Sequence, residues 1–241
     1  MALYLGNNKV SMKSGYTATT GFKDFLEHGG IFTYTDYTDL TGILKYSDTE
    51  NLTSTKNMFL YCYNLSSIPL LNTSKVTDMR SMFEHCDNLT SIPKLDTSNV
   101  VSMLYMFQYC FKLTSIPQLD TSNVTNMAYM FFYCRILTTI PKLDASNVTN
   151  MNDIFYSCNK LEQIHMTGMK VSFNISSSTL FTREALVEIL NNLATVTSTQ
   201  TLTMGSTNLA KLTDEDKSIA TNKGWTLAWE YLNLKQDILS R

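Results

Sequence analysis

The chain has 241 residues, of which 44% are hydrophobic and 17% charged, and its formal net charge is −2 at pH 7. This composition excludes an intrinsically disordered chain, which combines low hydrophobicity with high charge. Without a basic excess, nucleic acid is a poor candidate partner. Because no run approaches 18 apolar residues, the sequence predicts no membrane insertion.

The amino-terminal residues 1–39 share no period with the rest of the chain and are rich in Thr, Tyr and Gly. Residues 3–10, with the sequence LYLGNNKV, resemble the start of many virion proteins of phages and prophages from gut bacteria. No positive region precedes an apolar core here, so we expect no signal peptide. A segment with few core residues gains order by docking on a partner. We therefore predict that residues 1–39 are an anchor that binds other virion proteins.

The centre of the chain repeats with a period of 24 residues. All four prolines and all five cysteines keep this interval, and columns of Phe, Leu and Ile keep it too. A fixed period of this length is typical of a solenoid, in which stacked coils bury a core that no single coil could bury. The prolines are Pro69, Pro93, Pro117 and Pro141, and the cysteines are Cys62, Cys86, Cys110, Cys134 and Cys158.

One repeat, residues 89–112, illustrates the predicted path of the chain. Residues 89–95 predict a short, bent strand, and Pro93 lies where its hydrogen bonding breaks because proline has no N–H. Residues 96–99 are all turn formers. Apolar residues then recur with the helical period through residues 100–110, which predicts a short helix with its apolar stripe inward.

These residues resemble a known family. The pattern DTSNVTNMxxMFxxCxxLxxIP, best matched in the coil around residues 123–127, is similar to the BspA-like leucine-rich repeat. The resemblance covers roughly residues 50–165 and implies strands on the concave side and helices outside. The expected fold class is an α/β solenoid, a right-handed leucine-rich-repeat stack of 24-residue coils with N- and C-terminal caps. We expect the solenoid at 40–165, with 40–64 as a degenerate cap coil, and a C-terminal cap at 166–241.

The C-terminal part carries its own signals. Thr182 predicts the cap of a helix that runs through Leu193. Residues 200–204 read as a strand. A second helix is predicted to open at 213–216 with a capping box and to close near Gly224. Residues 225–231 predict a final strand.

The cysteine and aspartate columns each allow a metal site. Zinc ligands converge on one point, usually through a close Cys pair, whereas these cysteines are never closer than 24 residues. We therefore expect buried, reduced thiols. The column of Asp96, Asp120 and Asp144 could attract calcium, but capping or turn bonds would satisfy the same oxygens, and we prefer that interpretation. No cofactor is expected.

No catalytic motif is found, so the sequence predicts a protein that is not an enzyme. The candidate ligand-binding surface has two groups, one on the strand face and one of tyrosines on the opposite leg of the coil. Tyrosine rows suit protein or sugar contacts, and ordinary filling of a repeat surface is the alternative. The strand-face candidates are Thr90, Ser91, Lys94, Thr114, Ser115, Gln118, Thr138, Thr139 and Lys142; the tyrosines are Tyr61, Tyr105, Tyr109, Tyr129 and Tyr133.

The functional hypothesis is a non-enzymatic binding module on a phage virion surface, in a tail, fibre or head decoration that is assembled in the host cytoplasm. Its solenoid would present a face to a host-cell surface glycan or protein. A homo-oligomer is left open. The alternatives are a bacterial cell-surface adhesin exported by another route and a purely structural virion connector.

Overall fold

The computed structural model describes residues 3–5, 8–10, 38 and 49–229. Strand β1 (Leu3–Leu5) pairs antiparallel with β2 (Asn8–Val10). The predicted anchor at 1–39 lies otherwise outside the described residues, as does the first part of the predicted cap coil at 40–64.

Successive repeats lie side by side, with equivalent residues hydrogen-bonded to one another. The N–H of Phe83 donates to the carbonyl of Met106, and that of Phe107 donates to Met130, both over 2.9 Å. Each repeat therefore satisfies part of its backbone groups on the next repeat. Parallel bridges at intervals of 24 residues join Ser54, Asp78, Ser102, Asn126 and Asn150 in series.

The helix predicted in each repeat is wrong. Within the described residues 49–182 the backbone forms no α-helix. The segment 103–110 consists of overlapping turns instead. In the first of these turns the N–H of Met106 donates to the carbonyl of Met103 over 3.1 Å.

Two properties of the backbone prevent a helix there. Every second N–H, such as that of Tyr105, donates to the next repeat, at the carbonyl of Ala128 over 3.1 Å. That N–H is therefore not available for the hydrogen bond to the carbonyl of residue i−4 that an α-helix requires. In addition, Tyr105 and Tyr109 both have φ of 61°, a left-handed conformation that interrupts a right-handed helix.

The strand predicted at residues 89–95 is also absent, and proline is the reason. Because Pro93 has no N–H, the inter-repeat ladder stops there. In the last repeat His165 stands in the proline column, and its N–H donates to the carbonyl of Ile140 over 3.0 Å. Among the described repeats, a parallel strand pair forms at this pair alone, β3 (Thr139–Ile140) with β4 (Gln163–Ile164).

The interior of the repeat stack is filled by columns of identical side chains, as the sequence predicted. The ring of Phe107 stacks on Phe83 and Phe131, with centroids 5.5 and 5.8 Å apart. These spacings follow the interstrand distance of about 5 Å. The Phe, Met, Leu and Ile columns are buried throughout residues 52–164.

The five thiols belong to this core, and their predicted burial is confirmed. Each of the last four donates to a carbonyl of the previous repeat; the Sγ of Cys110, for example, lies 3.1 Å from the carbonyl oxygen of Phe83. Burial raises the pKa of the Cys110 and Cys134 thiols well above its usual value. A buried thiol that stays protonated is a poor nucleophile and a poor metal ligand.

The predicted elements after the repeats are confirmed. Helix α1 (Arg183–Asn192) begins after Thr182, whose hydroxyl accepts the N–H of Ala185 over 3.2 Å. Helix α3 (Asp214–Thr221) opens with a capping box between Thr213 and Asp216. The remaining elements are the short helix α2 (Ser206–Leu209) and a parallel sheet of β5 (Phe173–Asn174), β6 (Gln200–Thr203) and β7 (Trp225–Ala228). Residues 230 and 231 of the predicted last strand lie outside the described residues.

A buried hydroxyl column provides a test of the inter-repeat bonds. Thr97 is buried, and its hydroxyl donates to the carbonyl of Asp120 over 2.7 Å. Thr97→Val leaves that carbonyl without its partner, so we expect the free energy of unfolding to fall by about 1–2 kcal/mol. Thr125 donates similarly to Val101 but is exposed, so Thr125→Val should cost less than about 0.5 kcal/mol. Equal losses in urea unfolding would contradict this account.

The thiols provide a second test. We expect iodoacetamide to modify none of the five cysteines of the folded protein within the time that fully labels the denatured one, because each thiol is buried and protonated. Mass spectrometry of the non-reduced, denatured and alkylated chain should show five labels. Two or more labels missing through S–S pairs would overturn the assignment of reduced thiols.

Candidate functional site

The two groups of candidate residues lie on different parts of the repeat. Lys94, Gln118 and Lys142 line an open groove of about 1040 Å³, together with aspartates of the turn that follows. None of the candidate tyrosines lines this groove. The structure therefore does not bring the sequence-predicted residues into one site.

The aspartates of the groove are occupied by their own turns. Asp96 Oδ1 accepts the backbone N–H of Ser98 over 3.1 Å and its hydroxyl over 2.7 Å. The same bonds form between Asp120 and Ser122, and they lower the pKa of both carboxyl groups. The predicted turn bonding is confirmed, although these turns cap no helix. Among the residues that the structure describes, no group of three metal-ligating side chains converges.

The hydroxyl candidates on the strand side also contact neighbouring repeats. The Thr114 hydroxyl donates to the carbonyl of Thr90 over 3.1 Å, and that of Thr90 donates to Ser66 over 3.4 Å. These threonines are exposed, but each bond holds a hydroxyl against the backbone. Ser91, Ser115, Thr138 and Thr139 extend the same strip, which lies outside the groove lining.

The tyrosine candidates form a continuous aromatic array. Tyr61, Tyr109 and Tyr133 belong to one ladder that also contains His85, with successive centroids 5.0, 4.2 and 5.2 Å apart. Tyr105 and Tyr129 stack beside it with centroids 5.1 Å apart.

Sequence reasoning missed several members of this array. Phe132 joins the two rows, because its ring lies 5.5 Å from Tyr109 and 5.6 Å from Tyr129. Tyr156 stacks on Phe132 at 5.0 Å. The first three repeats have no aromatic residue at this position, so the 24-residue period does not reveal Phe132 and Tyr156. Their closeness in sequence to the tyrosine columns was the signal that could have predicted their contact with the tyrosines. We call the array the aromatic surface: Tyr61, Tyr63, His85, Tyr105, Tyr109, Phe111, Tyr129, Phe132, Tyr133 and Tyr156.

The backbone beneath the aromatic surface is strained. Six of its residues have positive φ, between 56° and 63°. A bulky side chain in this region costs on the order of 1–3 kcal/mol, and Gly, Asn and Asp tolerate it best. The same two repeat positions carry small polar residues in other repeats, namely Asn57, Ser81, Asp153 and Ser157. The aromatic residues are Tyr61, His85, Tyr105, Tyr109, Tyr129 and Tyr133.

The stacking decides what the aromatic surface offers to a ligand. In the ladder the face of each ring lies against the next ring, with Tyr109 between His85 and Tyr133. The tyrosines remain only half-buried, so their exposed atoms are ring edges and phenol hydroxyls. Such an edge combines apolar contact with hydrogen bonding.

The chain matches a family model described as "Mycoplasma protein of unknown function, DUF285", at residues 31–133, 85–188 and 111–211. Together these matches run from residue 31 to residue 211 of the 241. The chain belongs to this family. The overlapping matches fit an internal repeat and are consistent with the BspA-like repeat pattern.

No curated protein and no solved structure matches this DUF285 chain. Within the described part of the chain, every helix is too short or too polar to cross a membrane.

The positive φ angles provide a test in this DUF285 protein. At Tyr109, where φ is 61°, we expect Tyr109→Gly to be more stable than Tyr109→Ala by about 1 kcal/mol, because glycine lacks the Cβ that opposes this conformation. The preceding residue Gln108 has negative φ. There the order should reverse, with Gln108→Ala the more stable variant. The same order at both positions in urea unfolding would contradict the assigned backbone.

Proposed function

We propose that this DUF285 chain is a non-enzymatic binding module that presents its repeats to polymers on a host-cell surface. We further propose that residues 40–165 form a right-handed leucine-rich-repeat solenoid in which turns replace the outer helices that the sequence predicted. The inter-repeat hydrogen bonds at 24-residue intervals support the solenoid. The observation that carries the function is the aromatic surface, because six of its ten residues occupy backbone positions that disfavour aromatic side chains.

Because the aromatic side chains at positive φ make the backbone less stable, we infer that they are present for the contacts that they make with a ligand. Asparagine or glycine would give a more stable backbone at each positive φ. The aromatic ladder recovers part of that energy through ring stacking, worth about 0.5–1.5 kcal/mol for each pair. Buried filling would explain the stacking alone, but the five tyrosines at positive φ remain only half-buried, and the neighbouring Tyr63 and Tyr156 are each 42% exposed. Large, stiff and amphipathic side chains at the surface are typical of binding hot spots.

The shape of the aromatic surface favours a long ligand. It spans five repeats, and its rings follow each other at steps of roughly 5 Å, the repeat spacing. A linear polymer can contact several such steps at once, whereas a small ligand would contact one or two. Many weak contacts along one chain give a high overall avidity.

We place the module on a virion, with residues 1–39 as its attachment to other virion proteins. This part of the proposal rests on the resemblance of residues 3–10 to phage virion proteins. Antibodies against the chain should label purified phage particles in electron micrographs, and labelling of the bacterial surface alone would favour the adhesin instead.

Binding is tested on an array of purified bacterial surface polysaccharides with the full chain. We expect Tyr109→Asn together with Tyr133→Asn to weaken binding tenfold or more, because hot-spot truncations cost at least about 2 kcal/mol. Asparagine tolerates the positive φ, so the fold should persist. The matched control is Lys94→Gln with Lys142→Gln in the groove, which should bind like the parent. Loss of binding in the control alone would move the site to the groove, and a parent chain that binds no polymer would refute the proposal.

A further inference from the structure

We propose that the polymer bound by the aromatic surface is an acidic polysaccharide; this inference rests on the proposed function. Three cationic side chains, those of Lys112, Arg135 and Lys160, flank the aromatic surface on three successive repeats. Lys112 and Lys160 occupy the same repeat position, and Arg135 occupies the position before it. All three residues are exposed.

Arg135 joins the cations to the aromatic rings. Its guanidinium carbon lies 4.9 Å from the ring centroid of Phe111 and 5.0 Å from that of Tyr133. This cation–π contact holds the guanidinium group at the aromatic surface. A guanidinium held in this way keeps N–H donors free to bind a carboxylate or phosphate in a bidentate manner.

The three cations have no carboxylate partner among the described residues. Other cations of the chain do, and Arg80 lies 2.6 Å from the Asp78 carboxylate in the second repeat. Acidic residues on this leg of the repeat are Asp78, Glu84 and Asp87 in the second repeat and Asp153 in the fifth, and Glu162 follows Lys160 by two residues. The third and fourth repeats therefore carry positive charge and no acidic residue on this leg, and Lys160 extends the row of cations into the fifth repeat.

The spacing of the cations makes them act together. Neighbouring repeats are about 5 Å apart, within the screening length of about 8 Å at physiological ionic strength. Arg135 is one repeat from each lysine and is repelled by both, whereas Lys112 and Lys160 are two repeats, about 10 Å, apart and are screened from each other. A polymer with regularly placed negative charges removes that repulsion and forms charge-assisted hydrogen bonds in its place.

The aromatic surface selects sugar rather than nucleic acid as the polyanion. Single-stranded nucleic acid binds by stacking its bases on open aromatic faces. The faces of inner rings of the ladder are covered, because Tyr109 lies between His85, which stacks on it, and Tyr133, which is tilted by 31° against it. Sugar units carry many hydroxyls, and these can form hydrogen bonds with the exposed phenol hydroxyls without an open ring face.

The test compares one polymer with and without its charge. Polygalacturonate and its fully methyl-esterified form share a backbone, and we expect the full chain to bind the charged form at least about tenfold more tightly in biolayer interferometry. A wall teichoic acid forms a second arm, which distinguishes phosphate from carboxylate as the anion. Binding to the charged form should weaken as NaCl rises from 50 to 500 mM.

The variants separate this inference from the proposed function. Lys112→Gln, Arg135→Gln and Lys160→Gln together should abolish the preference for the charged polymer, whereas the matched control Lys94→Gln with Lys142→Gln should retain it. Equal binding of the methyl ester by the parent would overturn the acidic ligand and leave the binding module intact. Tighter binding of a single-stranded oligonucleotide would overturn it in favour of nucleic acid. Binding to neither polysaccharide nor teichoic acid would overturn it as well.

Discussion

The hydrogen bonds between equivalent residues of successive repeats are the constraint from which the rest of the structure follows. In the segment 103–110 every second N–H donates to the next repeat, and those between them close turns within the repeat. A backbone that alternates in this way cannot be an α-helix. This bonding places each apolar residue directly beside its counterpart in the next repeat, so the core is filled with columns of stacked rings and thiols. The backbone groups find hydrogen-bond partners without long strands.

The same alternation produces the aromatic surface. A chain that closes one turn after another must reverse its direction regularly, and it does so through positive φ at two positions of each repeat, for example Ser81 and His85. Aromatic side chains at these positions stay half-buried and stack on their counterparts one repeat further on, as His85 does on Tyr109 and Tyr105 on Tyr129. In the third and fourth repeats the side chains at both positions are aromatic. A backbone feature of the stack thereby becomes a ladder of rings at the surface.

The groove and the aromatic surface differ in how much of their chemistry is available to a ligand. The groove contains aspartates, but Asp96 and Asp120 already accept bonds from Ser98 and Ser122 within their own turns. The aromatic surface has rings that support one another and cations that lack a carboxylate partner among the described residues, such as Arg135 over Phe111. Rigid rings lose little entropy on binding, so the function is better supported on that side.

The sequence by itself determined the repeat length, the identity of the buried columns, the burial of the thiols and the helices that follow the repeats. These depend on residue type and spacing, which a sequence states directly. It could not determine the path of the chain between columns, because apolar residues three and four apart suit a helix and a series of turns equally well. Only the tertiary structure decided where each N–H donates, and with it the positive φ angles and the contacts of Phe132 and Arg135 with the tyrosines. Those contacts join residues at different repeat positions, so they depend on how neighbouring repeats are packed.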